Sequence, residues 1–264
     1  MSPSVRSTLK RSRTVHSAYK LTRRLPEAPI SDWTNLRRTA SIFRVLPNTM
    51  LSGPRLINAY DAMETIERER IEGAVVECGV WAGGGVGLMA SVAKQYQNRR
   101  RVFHLFDSFE GLPQPSRKDV DVVDGFGEQH PELAPDDGDE SNALVAIGAC
   151  AAPLDEVHRL FFDVLAIDPQ QVVIHKGWFQ ETVPAASGSI GAVSVLRLDG
   201  DWYESTKICL EGLYDNVVKG GFVIIDDYGH FVGCRKAVDE FFESRALDVR
   251  LVDIDGEGVY FRKP

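Results

Sequence analysis

The stretch Ala74-Val75-Val76-Glu77-Cys78-Gly79-Val80-Trp81-Ala82-Gly83-Gly84-Gly85-Val86-Gly87 constrains this chain more than any other. A short apolar run ends in an acid, breaks into glycines and resumes as Leu88-Met89-Ala90-Ser91-Val92-Ala93. That pattern predicts a buried strand, a tight glycine turn and a helix. Glycines let a backbone approach a ligand closely, and a helix N-terminus offers free N–H groups. A nucleotide or nucleotide-like cofactor is the expected guest.

The same rhythm recurs downstream. Arg101–Asp107 is a second apolar strand ending in an acid, and residues 171–176 form a third strand, followed by Gly177-Trp178-Phe179. Residues 192–199 and 220–227 are a fourth and a fifth strand, ending in Asp199 and in Asp226-Asp227. Helices are expected over 54–69, 84–97, 153–166, 203–218 and about 231–245, each with one apolar face. Two last strands, 248–254 and 258–262, flank Asp255-Gly256, a hairpin signal. Alternating strands and helices imply an α/β fold, a doubly wound and mostly parallel sheet with helices on both faces. The closing hairpin adds antiparallel strands.

We therefore expect one domain over 71–264, preceded by a basic arm and helical extension over 1–70. Residues 112–150 break the rhythm, and their acidic part, 119–140, is expected to be a lid over the substrate side. A net charge of −8 excludes a typical nucleic-acid binder. No apolar run approaches the roughly 20 residues that span a bilayer. The basic N-terminal segment has no apolar run behind it, so no secretory signal is expected. Cys78, Cys150, Cys209 and Cys234 lack metal or redox spacing, which suggests free thiols in a reducing cytoplasm.

Two cofactors compete for the glycine turn. Gly79-x3-Gly83-x-Gly85, with Tyr203-x3-Lys207, matches the nicotinamide and Tyr/Lys patterns of short-chain dehydrogenases. Against it, the glycines lie some way into the chain, no Asn-Asn-Ala-Gly segment follows, and Tyr203 comes directly after a strand end. S-adenosylmethionine is the alternative. A Glu-Cys-Gly turn suits its amino-acid end, and Asp107, at the second strand end, suits its ribose diol.

Four ordered segments carry a resemblance. They are Val76–Gly84, Phe106-Asp107-Ser108-Phe109-Glu110-Gly111-Leu112-Pro113, Leu196-Arg197-Leu198-Asp199-Gly200-Asp201-Trp202-Tyr203-Glu204-Ser205-Thr206, and Gly220–Tyr228. Together they resemble the macrocin O-methyltransferase family of antibiotic deoxysugar methyltransferases, from about residue 50 to 262. Gly85-Val86-Gly87 departs from the serines usual there. The resemblance implies a class I methyltransferase fold with seven strands, S-adenosylmethionine, a divalent cation such as Mg²⁺, and methylation of a sugar hydroxyl on a natural product. A catechol or phenol acceptor is the variant of the same chemistry. Candidate cofactor residues are Glu77, Gly79, Trp81, Gly83, Asp107, Ser108, Gly177, Trp178, Phe179 and Asp199. The expected setting is a cytoplasmic homo-oligomer whose partner is a small glycosylated molecule, with neither nucleic acid nor membrane.

Asp199, Asp226 and Asp227 end neighbouring strands, at the sheet edge where such folds bind ligands. Converging carboxylates repel one another unless a cation sits among them, and oxygen-only ligands suit Mg²⁺. The resemblance places its metal on these three. Asp199 is the first candidate for the base that takes the hydroxyl proton and Asp201 the second, with His175 and His230 behind them.

Overall fold

The structure is a computed structural model and describes residues 13–119 and 144–264. The helices are α1 (Arg13–Arg24), α2 (Leu36–Val45), α3 (Gly53–Glu69), α4 (Gly84–Gln95), α5 (Leu154–His158), α6 (Phe179–Ile190), α7 (Tyr203–Leu213) and α8 (Val232–Ser244). The strands are β1 (Ala74–Cys78), β2 (Phe103–Asp107), β3 (Val172–Lys176), β4 (Val193–Leu198), β5 (Val217–Ile225), β6 (Val252–Asp253) and β7 (Val259–Arg262). They form one seven-stranded sheet in the order β3-β2-β1-β4-β5-β7-β6. β1 to β5 pair in parallel, and β7 pairs antiparallel with β5 and β6. The strand order reverses between β1 and β4, which leaves a crevice at their carboxyl ends. No described helix is long and apolar enough to cross a membrane.

Side chains alternate across the sheet. Val75, Val195, Phe222 and Ile224 face the layer built from α2, α3, α4 and the segment 157–167. Val76, Cys78, Leu196, Leu198, Val223 and Ile225 face α6, α7 and α8. A register irregularity between Val193 and Val195 shifts the alternation, so Val193 and Leu196 share a face. Cys78, Cys209 and Cys234 are buried free thiols, and Cys150 is exposed.

Residues 33–66, ahead of β1, belong to the same core. Ile42, Val45, Leu46, Leu56, Met63 and Ile66 are all fully buried against α4 and the sheet. The loop after α2 reaches the glycine turn itself. Asn48 donates from Nδ2 to the Ala82 carbonyl at 3.1 Å, and Lys20 on α1 donates to the Thr49 carbonyl at 2.9 Å.

Several boundaries differ from the sequence expectation. The segment after β3 is a full helix, α6, with Pro184 inside it. Pro184, Gly188 and Gly191 hide its periodicity, yet Val183, Ala186 and Ile190 pack on the core and hold the helix by tertiary contact. The expected helix 203–218 stops at Leu213, because β5 starts at Val217. The segment expected as helix over 153–166 is α5 followed by a π-helical turn, Arg159–Val164. Most of the expected acidic lid lies outside the described residues. Its two legs pair in antiparallel fashion, with Ile147 N–H on the Leu112 carbonyl at 2.9 Å and Gln114 N–H on that of Val145 at 3.0 Å.

Gly84 and Gly87 separate two roles for glycine on α4. A Cβ on Gly84 would meet the Asn48 carbonyl oxygen at 2.4 Å and Thr49 Cβ at 2.5 Å, both on the buried loop. A Cβ on Gly87 would meet only the ends of Leu160 and Leu165, at 3.0 and 3.2 Å. Gly84→Ala should therefore lower the unfolding free energy by on the order of 1–3 kcal/mol through overpacking. Gly87→Ala should stay within about 1 kcal/mol of the parent, because the helix-propensity gain offsets the crowding. Urea unfolding of both variants checks the contrast.

Candidate active site

The crevice at the carboxyl ends of β1 to β4 is an open cleft. Gly79, Trp81, Asp107, Ser108, Gly177, Trp178, Phe179, Asp199 and Asp201 all line it. A narrower recess beside it, at loop 48–51, is bounded by Glu77, Gly84, Gly85 and Arg197. Gly79 has φ of 86°, and a Cβ there would lie 1.7 Å from the Asp199 carbonyl oxygen. The two strands thus meet at a point where only glycine fits.

The glycine turn is fixed by its own acids. Asp107 Oδ2 accepts the N–H groups of Val80 and Trp81 at 2.9 and 3.0 Å, and Oδ1 accepts that of Phe109 at 2.7 Å. Trp81 is held by this bond at a φ of 48°. Burial pushes the Asp107 carboxyl up, and the three N–H groups pull it back. A carboxylate has about four acceptor positions, so one remains for a ligand hydroxyl. Ser108 turns its hydroxyl to the Gly111 carbonyl at 3.0 Å. Gly83, with φ of 84°, forms the left-handed entry to α4, and its open side faces Val157 and Phe161, away from the cleft.

Glu77 is 1% exposed. Its Oε2 accepts the Val86 N–H at 2.9 Å, capping α4, and its Oε1 accepts from Arg197 Nη1 at 2.9 Å. Gly85 is required beneath it, since a Cβ there would lie 2.3 Å from Oε1. Burial pushes the Glu77 carboxyl up to about 7 against the pull of Arg197 and the Val86 N–H.

Arg197 is the residue that sequence reasoning passed over. It is directly across from Glu77 in the β1–β4 register and is 2% exposed. Nη1 also bonds Asp199 Oδ2 at 2.8 Å, and Nη2 bonds Asp226 Oδ1. Burial works against its charge, but Asp226, Asp199 and Glu77 outweigh that and keep it protonated. The available signal was one cation inside the strand Val193–Leu198, whose other residues are apolar except Ser194. Arg55, from α3, takes the other oxygen of Asp226 at 2.8 Å. Two guanidinium groups thus supply part of the positive charge that the converging acids require.

They do not supply all of it. Single carboxylate oxygens of Asp199, Asp226 and Asp227 all lie within 4.8 Å of one another. Asp201 joins them through its N–H, 3.2 Å from Asp227 Oδ2, and its own carboxylate accepts no hydrogen bond from a described residue. Burial and then the neighbouring carboxylates push Asp201 and Asp227 well above the ordinary range, and push Asp199 up to about 6. Cys150, at the cleft mouth, reports the same field. Burial and the carboxylates of Asp201, Asp199 and Asp227 raise its thiol to about 11. An excess of buried negative charge and an all-oxygen donor set fit a divalent cation of the Mg²⁺ kind.

Other candidates fall away from the cleft. The Tyr203 hydroxyl donates to Glu240 on α8, and burial and that acid hold it as a neutral phenol. Lys207 sits 5.6 Å over the Tyr203 ring, so the Tyr-x3-Lys spacing belongs to the packing of α7 beside α8. His175 stacks on Phe106 with centroids 4.0 Å apart and lies 3.0 Å from His104. His230 is exposed beside Glu257.

The profile of the macrocin O-methyltransferase (TylF) family matches residues 7–263. The demethyldecarbamoylnovobiocin O-methyltransferase of Streptomyces niveus is 34% identical over 216 residues, 82% of this chain and 76% of its own. The 8-demethyl-8-(2,3-dimethoxy-alpha-L-rhamnosyl)-tetracenomycin-C 4'-O-methyltransferase of Streptomyces olivaceus is 36% identical over 215 residues, 81% of this chain and 75% of its own. Among solved structures, the O-methyltransferase NovP aligns with a TM-score of 0.67 at 34% identity, covering 82% of each chain.

Arg197→Met leaves the buried carboxylates of Glu77 and Asp226, and the partly exposed one of Asp199, without their shared partner and should cost on the order of 3–5 kcal/mol of unfolding free energy. Arg159→Met removes only the exposed pair with Glu156 and should cost less than about 1 kcal/mol. Denaturant titration of the two variants measures the difference.

Proposed function

The chain belongs to the macrocin O-methyltransferase (TylF) family, and on that premise we propose that it transfers the methyl group of S-adenosylmethionine to a sugar hydroxyl of a glycosylated natural product, with a divalent cation such as Mg²⁺ at Asp199, Asp226 and Asp227. The observation that carries this reading is the cluster of Asp199, Asp226 and Asp227, of which Asp199 lines the cleft at the strand-order reversal. The reading also rests on the relatives. One of them carries a rhamnosyl group in the name of its substrate.

The donor fits the β1–β3 side. Gly79, Trp81 and Ser108 form its floor, the spare acceptor position on Asp107 suits a ribose hydroxyl, and Trp178 and Phe179 offer apolar surface to the purine. The recess bounded by Glu77, Gly84 and Gly85 suits the amino-acid end.

Methyl transfer is a displacement at carbon. The acceptor oxygen attacks, the sulfonium leaves as the thioether, and one proton must be removed. When bound, the cation supplies Lewis acidity and a fixed position for the hydroxyl. The protein side of the reaction is alignment and proton removal. Asp199 is tied to Arg197, which leaves Asp201, unbonded and lining the cleft, as the better proton acceptor. Burial of the cleft floor strengthens each of these interactions relative to water.

Calorimetry with S-adenosylhomocysteine tests the donor. It should bind the parent, NAD⁺ should not, and Asp107→Ala should weaken it by on the order of 1–3 kcal/mol. Equal affinity for Asp107→Ala removes the ribose assignment. For the cation, methylation of rhamnosylated acceptors should stop in EDTA and return with Mg²⁺. Asp227→Asn should lose that rescue while keeping the donor affinity, whereas full activity in EDTA leaves Asp201 as an unaided base.

A further inference from the structure

Asp226 stands apart from the other two acids of its cluster. Both of its oxygens are already taken, Oδ1 by Arg197 and Oδ2 by Arg55 at 2.8 Å. Arg197 is locked in the sheet and shared with Glu77 and Asp199. Arg55 is held differently. It projects from the first turns of α3, and its Nε bonds Asp255 Oδ2 at 2.9 Å while Nη2 bonds Glu257. Asp255 and Glu257 lie on the turn between β6 and β7, so Arg55 divides its charge between that turn and the acid cluster. Ser52, the N-cap of α3, also bonds Asp255.

We propose that Arg55 is a positioning residue that competes with the divalent cation for Asp226 and so sets the affinity of the site. This inference rests on the cation reading given above. A cation that takes an oxygen of Asp226 must displace, or share that oxygen with, the guanidinium on it. Two positive centres drawn to one buried carboxylate repel each other strongly at this burial, where Arg55 and Asp226 are 11% and 6% exposed. Asp255 and Glu257 give Arg55 a second resting place, so its release from Asp226 does not strand a buried charge. The turn between β6 and β7 then acts as the counterweight that lets the cation enter. Helix α3 begins at the end of loop 48–52, and Met50 of that loop lines the cleft, so the same residue ties the acid cluster to the cleft wall.

The sign of the effect separates this role from a merely structural one. Mn²⁺ binding to the full chain, read by electron paramagnetic resonance of free Mn²⁺ without acceptor or turnover, is the measurement. Arg55→Gln should bind Mn²⁺ about tenfold tighter than the parent, equivalent to about 1.4 kcal/mol. Arg55→Lys keeps the charge but loses the fork that spans Asp226 and Asp255, and should tighten binding a few-fold. A residue that only braces the fold would weaken binding when removed. Unchanged or weaker affinity in Arg55→Gln, with the parent binding Mn²⁺, overturns the competition and leaves the cation site standing. If Arg55→Gln fails to fold, Arg55→Lys decides by the same criterion. If the parent binds no Mn²⁺, the cation reading itself fails and this inference with it.

Discussion

The buried pair of Glu77 and Arg197 organises the carboxyl edge of the sheet. Neither charge can be left alone at that depth, so each fixes the other and whatever shares it. Glu77 draws in the Val86 N–H in the first turn of α4 and requires glycine at position 85. Arg197 draws in Asp199 and Asp226. One uninterrupted line of charge thus runs from the glycine turn on β1 to the ends of β4 and β5. The cleft and the cluster of acids are two ends of one electrostatic unit.

That unit explains why the site combines rigidity with an unbalanced charge. The turn is fixed by Asp107 and the helix start by Glu77, so the β1–β2 side of the cleft is held by the protein's own hydrogen bonds. On the other side, two guanidinium groups are shared among Glu77, Asp199, Asp226, Asp255 and Glu257, while Asp201 and Asp227 have no cation bonded to them among the described residues. Such a surplus costs stability in the free protein, a cost that the proposed cation would offset. The trade of local stability for binding is common at functional sites.

Much of this was legible in the sequence, and the reasons differ from element to element. The strands β1, β2, β4 and β5 announce themselves as apolar runs ending in acids, and the parallel order follows from the helices between them. Gly79, Asp107 and Asp199 could be placed on one edge because each directly follows or ends such a run. Helix α6 could not be read, because Pro184 and two glycines break its pattern and only packing holds it. The partnership of Glu77 with Arg197 spans 120 residues and depends on strand register, which no local pattern encodes. The same holds for Arg55, which meets Asp226 across 171 residues. Glu77 shows the consequence: the sequence reads it as a candidate for the donor site, and the fold adds that its two oxygens also hold the Val86 N–H and Arg197.

The most direct test of a single continuous site is the nuclear magnetic resonance signal of [methyl-¹³C]S-adenosylmethionine bound to the protein. Mn²⁺ at the acid cluster should broaden the methyl resonance severely, Mg²⁺ should not, and Asp227→Asn should restore the sharp line. A methyl signal that stays sharp with donor and Mn²⁺ both bound would place them in separate sites and contradict the joining of the two ends through Arg197.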